Sequence, residues 1–347
     1  MLGLFADMVR APAFPADQFE RVRAQALTGL RAEAADPAAL AYRTLPPLLY
    51  GNQHPYGQSF TGSGTAAGLA AATVEDLRRF HAGLDPARAT LIVVGDTHLA
   101  ALQPRLASAF ADWKAERPAA IVASSSPPAP PPAGILLLDR PGSAQALVLG
   151  GAALGRTGRD DILALKLAND VFGGLTSSRL FQDLRERNGW SYGASSGVSE
   201  TVGPMPFLVQ AAVDPAHVGD SIAAIRRLLG AQKGAEPPTA AETASARANA
   251  IRGLPGELET GNALLRTLER NEGLGRPDSY LPTLPLRIAA VPDAAVAAAP
   301  LPDPARLSFV IVGDAATIRP QLSVLGLPVT ERAIPGDPPL PPAPHHR

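Results

Sequence analysis

One local pattern occurs twice in this chain, and that limits its possible folds more than any other feature. Asp85-Pro86-Ala87-Arg88, followed by Leu91-Ile92-Val93-Val94-Gly95-Asp96, returns as Asp303-Pro304-Ala305-Arg306, followed by Phe309-Val310-Ile311-Val312-Gly313-Asp314. Upstream, Arg23-Ala24-Gln25-Ala26-Leu27-Thr28-Gly29-Leu30 aligns with Arg247-Ala248-Asn249-Ala250-Ile251-Arg252-Gly253-Leu254. The offsets are 218 residues (91 to 309) and 224 residues (23 to 247). Two independent matches at nearly one offset argue against chance similarity of Ala-rich helices. A period of this size is too long for a solenoid unit and fits a duplicated domain. The copies are unequal. The second begins near Ile135, well over a hundred residues before Arg247, whereas Arg23 stands close to Met1. The repeat arithmetic therefore predicts that roughly 90 residues are missing from the front of the first copy.

The boundaries expected from this are a first repeat over 1–115, a Pro-rich linker over 116–133, a second repeat over 134–329 and a disordered Pro-rich tail over 330–347. The tail ends in His345-His346-Arg347, which reads as a solvated terminus rather than a metal trap. Thirty-one basic and 32 acidic residues leave a net charge of −1, which gives no footing for nucleic acid or an anionic membrane. No Cys is present, so disulfides and thiol chemistry are excluded. No apolar run reaches the length of a membrane span. The start, Met1-Leu2-Gly3-Leu4, lacks the basic opening of a signal peptide. The compartment is left open: periplasmic if the missing front carried a signal, cytoplasmic otherwise.

Periodicity sketches two α+β lobes. Phe19, Val22, Ala26, Leu27 and Leu30 form a stripe that predicts a helix over 17–33. Thr73-Val74-Glu75-Asp76 opens a capped helix through Phe80. Residues 89–94 predict a buried strand. In the second lobe, strands are expected at 135–138, 145–150, 191–199, 206–213 and 307–312. Helices are expected at 160–172, 177–187, 215–230, 239–252 and 256–272. Mixed order of this kind predicts a mostly antiparallel sheet with helices on one face.

The densest motif lies between these elements. Gly173-Gly174 is followed by Ser178-Arg179-Leu180, Leu184-Arg185 and Tyr192-Gly193. This order resembles the second repeat of the pitrilysin and insulin-degrading family of zinc metallopeptidases. The resemblance is strong over 172–193 and extends in weaker form over most of the chain. It implies paired α+β repeats forming a clam-like chamber around a peptide, with Arg185 and Tyr192 holding the substrate near a zinc site. In bacterial and mitochondrial versions two chains pair: one brings zinc, the other the Arg and Tyr. Read without the resemblance, Arg185 is a solvated helix charge and Tyr192 a packing residue. The ordered motif reverses that preference.

The family's zinc motif, H-x-x-E-H, is absent. None of His54, His81, His98, His217, His345 and His346 has a partner at that spacing with an intervening Glu. By the repeat alignment the motif belongs in the absent counterpart of Leu163–Gly174. The family's third ligand is a Glu on the long helix that here follows Pro12-Ala13-Phe14, and Thr28-Gly29 stand in its place. Glu33, on the same helix face, is a shifted alternative. His54-Pro55-Tyr56-Gly57 reads as a turn. Ser177, Ser178 and Ser196 lack a nucleophile elbow. Asp96 and Asp314, being duplicated, read as turn residues, and His98 and His217 as solvated or capping.

The expectation is a noncatalytic, substrate-binding partner subunit of a heterodimeric zinc metallopeptidase. Alone it would lack a metal cofactor and peptidase activity; its partners would be a catalytic H-x-x-E-H-bearing subunit and a peptide. Two rivals are a truncated fragment of an active peptidase and a structural subunit without proteolytic role, like the core subunits of the respiratory cytochrome complex.

Overall fold

The apolar runs of the second copy meet in one six-stranded sheet. The computed structural model describes residues 2–114 and 129–334. In chain order, α1 (Leu2–Arg10), α2 (Ala16–Ala35), α3 (Pro37–Thr44), α4 (Pro46–Tyr50), α5 (Ala66–Ala71), α6 (Val74–Ala82) and α7 (Leu99–Phe110) precede β1 (Ile135–Asp139) and β2 (Ala146–Ala153). Next, α8 (Leu163–Asn169) runs into a π-turn (Asp170–Gly174), and α9 (Arg179–Phe181) into a second π-turn (Gln182–Arg187). β3 (Ser191–Val198), β4 (Pro206–Val213), α10 (Val218–Lys233), α11 (Ala240–Glu257), α12 (Gly261–Gly273), α13 (Tyr280–Ala289), α14 (Asp293–Ala297), β5 (Ser308–Gly313), α15 (Ala315–Leu322) and β6 (Val329–Ala333) complete the described chain.

The strand order is β3-β4-β2-β5-β1-β6. The pairs β3–β4, β4–β2 and β2–β5 are antiparallel. β1 pairs in parallel with both β5 and β6, so the sheet is mixed. β5 is buried along its whole length, because its residues serve two cores by alternation. Phe309 and Ile311 join the larger core with Phe172, Phe207, Leu184, Ile222 and Leu229. Val310 and Val312 join the smaller one with Leu40, Leu45, Leu49, Leu147 and Leu149. Helices were expected on one face; α3 and α4, placed in the first repeat by sequence, cover part of the second face.

The described chain forms two compact units that interleave along the sequence. One holds Met1–Leu30, Ser63–Pro127 and Pro255–Glu272; the other holds Arg31–Gly62, Pro128–Leu254 and Gly273–Arg347. The second unit contains the sheet and every residue of the dense motif. No helix among the described residues is long and apolar enough to cross a membrane.

The duplication is legible in the bonds themselves. Both Asp-Pro-Ala-Arg segments close as 3-10 turns: Asp85 accepts from the Ala87 N–H at 3.0 Å and Asp303 from the Ala305 N–H at 2.9 Å. Arg23 donates to the Ala72 carbonyl and Arg247 to the Val291 carbonyl, each just upstream of a helix. α7 and α15, the helices after the two Gly-Asp steps, each carry an internal proline, Pro104 and Pro320.

Three expectations need correction. Residues 89–94 make no ladder, and Leu91 and Val93 stay 44% and 47% exposed, because no strand of this unit lies beside them among the described residues. The stripe of α2 likewise buries only Leu30. Residues 330–333, expected to lie in the tail, are ordered: Val329–Ala333 forms β6, whose exposed residues carry no strand periodicity and which is held by β1 and by Glu331 paired with Arg319 at 2.7 Å. Most of the expected linker, and His345-His346, lie outside the described residues.

Candidate functional site

Within the segment from Gly173 to Gly193, a tightly bonded frame carries Arg185 and Tyr192 on its surface. The frame begins at the glycines, where a Cβ on Gly173 would stand 2.4 Å from Ser196 Oγ and one on Gly174 2.3 Å from Asp170 Oδ1. Only glycine allows this approach of the first π-turn to β3. The contact is stitched by polar atoms: Ser196 Oγ donates to Asn169 Oδ1 at 2.7 Å, and Asn169 Nδ2 donates to the Ser196 carbonyl at 3.2 Å. Asp170 opens this turn, and burial pushes its carboxyl up to about 6 against the pull of Lys166.

Ser178 is buried and caps α9, its Oγ accepting from the Phe181 N–H at 3.4 Å. Arg179 reaches across to the start of α11. It makes a forked pair with Glu242, with both N···O distances 2.7 Å, and donates to the carbonyls of Glu236 and Pro237. The guanidinium, with Thr239 behind it, draws the Glu242 carboxyl down to about 2. Leu180 and Leu184 are fully buried. Asp183, also buried, is approached by Arg187 at 3.2 Å and Arg227 at 2.8 Å and accepts from Asn188 Nδ2. These bonds fix the second π-turn, in which Arg185 stands.

Arg185 and Tyr192 are the two large side chains of the motif that the frame leaves exposed. Arg185 Nη1 donates to the Tyr192 carbonyl, its guanidinium carbon lies 5.3 Å from the centre of the Phe181 ring, and Glu186 is 3.4 Å away. The Arg185 side chain is half exposed, and Tyr192 is 77% exposed. The exposure of Tyr192 has a local cause. Ser191 pairs with Val213 and Gly193 with Ala212, so Tyr192 is the extra residue of a β-bulge. A bulge re-aims a side chain off the ladder. Ser191 Oγ holds it there: it lies 2.7 Å from the carbonyls of Gly193 and Ala212 and accepts from the Gly193 N–H at 3.1 Å.

A surface groove of about 760 Å³ adjoins the bulge, lined by Trp190, Ser191, Tyr192, Asp214, Ala144 and Gln145, among others. Trp190 stacks on His217 at 5.3 Å, and His217 Nδ1 lies 3.1 Å from Asp220. Tyr192 lines this groove, Arg185 reaches the Tyr192 backbone, and both a phenol and a guanidinium can donate hydrogen bonds to the carbonyl oxygens of a peptide.

The other candidates go elsewhere. His54 is buried, and its Nδ1 accepts from the Tyr56 N–H at 2.9 Å in a cluster with Tyr50 and Tyr56. Ser177 is exposed, and His98 precedes α7 without a side-chain capping bond. Asp314 caps α15, whereas Asp96 is exposed in a bend. Thr28 Oγ1 donates to the Ala24 carbonyl, and Glu33 is paired with Arg43 at 2.6 Å and accepts from Thr61. Among the described residues, no group of three His, Cys, Asp or Glu is placed to hold a metal ion. The residues present do not fit the zinc site that the family implies. Sequence reasoning missed Asp170, Asp183 and Ser191; only Ser191, immediately before the Tyr-Gly pair, gave any signal.

The sequence profile of the peptidase M16 inactive domain matches residues 71–250. The crystal structure of a peptidase M16 inactive domain from Pseudomonas fluorescens is similar, with a TM-score of 0.78 and 26% identity, over 90% of this chain and 74% of that one. A protease from Helicobacter pylori shares the fold, with a TM-score of 0.73 and 19% identity, over 90% of this chain and 76% of that one. So does a chain of complex III2 from Candida albicans, with a TM-score of 0.68 and 16% identity, over 92% of this chain and 79% of that one. Among curated proteins none matches. The profile spans more than half of the chain, and the motif residues that carried the resemblance fold as one frame; the chain belongs to the peptidase M16 inactive-domain family, the noncatalytic side of the pitrilysin and insulinase peptidases.

Proposed function

We propose that this chain is the noncatalytic, substrate-binding subunit of a heterodimeric zinc metallopeptidase. Its partner would be an H-x-x-E-H-bearing subunit that holds the zinc, and its ligand a peptide. The observation that supports this reading is the pairing of Arg185 with Tyr192, both exposed and carried on a frame whose other motif residues are locked. A solvated charge needs no such support. Arg185 and Tyr192 would bind peptide carbonyl oxygens and orient the chain for attack in the partner's site. Donors of this kind gain most where negative charge grows on the oxygen. No step is assigned to a metal in this chain, because Thr28 and Gly29 offer no carboxylate and Glu33 is engaged by Arg43.

The test is reconstitution. The purified chain should show no chelator-sensitive peptidase activity, while co-expression with an H-x-x-E-H subunit from the same genome should give a 1:1 complex that does. Stoichiometric zinc and peptidase activity in the chain alone would favour the fragment of an active enzyme. A complex without activity on any peptide would favour the structural subunit.

A further inference from the structure

The groove beside Tyr192 carries a sign as well as a shape. Among the described residues that line it, Asp214 alone bears a charge, while Gln145 supplies an amide and Trp190 and Tyr192 two aromatic rings. Asp214 follows β4, and its place is fixed from two sides. Its N–H donates to the Trp190 carbonyl at 2.9 Å, which ties it to the residue two before the bulge. Its Oδ1 accepts from the Ala216 N–H at 2.8 Å, capping the 3-10 turn Pro215–His217. That bond engages one oxygen of a carboxylate that stays exposed.

The neighbouring charges do not cancel it. His217, stacked on the Trp190 ring, is bonded to Asp220. In the π-turn before the groove, Arg185 lies 3.4 Å from Glu186 and Arg187 3.2 Å from Asp183. Trp190 is half-buried and gives one face to His217, whereas the Tyr192 ring is exposed. An open ring and a carboxylate lining one groove suit a long cationic side chain. Its alkyl stem can lie on the ring while its charged head meets the ring face and the carboxylate.

We infer that this groove is a side-chain subsite that selects a lysine or arginine of the bound peptide, with Asp214 reading the charge and Tyr192 as the platform. The inference rests on the peptide-binding role proposed above and adds to it which side chain is preferred. An acidic side chain would meet Asp214 as a like charge, and an aliphatic one would gain the ring but not the ion pair.

The probes are alanine-rich octapeptides with one central position set to Lys, Arg, norleucine or Glu. Their affinities for the full chain are read by fluorescence anisotropy of an N-terminal label at low salt. The Lys and Arg peptides should bind roughly 5-fold tighter than the norleucine peptide, and the Glu peptide more weakly than it. Added salt should compress the difference. Asp214→Asn keeps the Oδ1 that caps the turn, so it should leave norleucine binding unchanged and bring Lys within about 2-fold of it. Trp113→Phe leaves Trp190 as the sole tryptophan, and its emission should change when unlabelled Lys peptide saturates the chain. Equal binding of the Lys and norleucine peptides overturns the subsite and leaves the peptide-binding role standing. Binding of no peptide overturns both. A Lys preference that survives Asp214→Asn, or that leaves Trp190 emission unchanged, places the selection elsewhere and also overturns the subsite.

Discussion

Arg179 and Arg185 stand six positions apart in one motif and do unrelated work. Arg179 is largely buried, and its fork closes on Glu242 and on two carbonyls at the start of α11. Arg185 is half exposed, bonded to a backbone oxygen of its neighbour and set over a ring. The difference teaches that a family signature mixes residues that build the frame with residues the frame presents. Partner geometry, not residue type, tells them apart.

The sharpest way to break that comparison is to exchange the expected costs of the two arginines. Arg179→Ala removes a charge-assisted fork from a mostly buried site and should destabilise the chain by about 2–3 kcal/mol in urea melts. If it melts like the parent, Arg179 is not part of the frame. The pH dependence has a definite sign. Glu242 has its folded pKa lowered from 4.5 to about 2, so its contribution is full above pH 4.5 and is lost as pH falls toward 2. With Glu242 partly exposed, that loss should be on the order of 1 kcal/mol, and Arg179→Ala should remove it.

Gly173→Ala comes next. Its Cβ would collide with Ser196 in the seam between the first π-turn and β3, and a cost of about 1–2 kcal/mol is expected. A neutral result would mean that the seam yields freely. Asp170→Asn has the opposite sign. The folded pKa of Asp170 is raised from 3.8 to about 6, so its ionisation opposes folding, and stability falls as pH rises from about 4 to about 6. The amide should be more stable than the parent by roughly 1 kcal/mol at pH 7.5, with the gain gone near pH 4. Equal melts at both pH values would show that the carboxyl is better solvated than its burial implies.

Much of this frame could be read from the chain, and the parts that could not share a cause. β1, β2, β3, β4 and β5 were visible because apolar or alternating runs meet turn residues at their ends. β6 was not, since Val329-Thr330-Glu331-Arg332-Ala333 owes its conformation to β1 rather than to its own pattern. Residues 89–94 failed in reverse: a strong strand pattern with no ladder beside it among the described residues. At the site, the order of Gly-Gly, Ser-Arg-Leu, Leu-Arg and Tyr-Gly was legible. The division of labour was not, because Glu242 lies 63 residues beyond Arg179 and Arg227 lies 44 beyond Asp183. Pairings at that distance leave no periodic trace. The Tyr192 bulge needs the register of two strands and is invisible in one.

The smallest expected effect on folding falls on the exposed pair. Arg185→Ala and Tyr192→Phe should each shift stability by no more than about 0.5 kcal/mol, because Arg185 is half exposed and Tyr192→Phe removes only an exposed hydroxyl. The most direct measurement is therefore kcat/KM of the reconstituted complex carrying Arg185→Ala with Tyr192→Phe, set beside its urea midpoint and beside Arg179→Ala assayed well below its own midpoint. Loss of the two peptide donors predicts a fall in kcat/KM of roughly 10²-fold at an unchanged midpoint, with Arg179→Ala keeping activity within a few-fold of the parent. Full activity in the double variant would contradict the account and leave Arg185 and Tyr192 as scaffold.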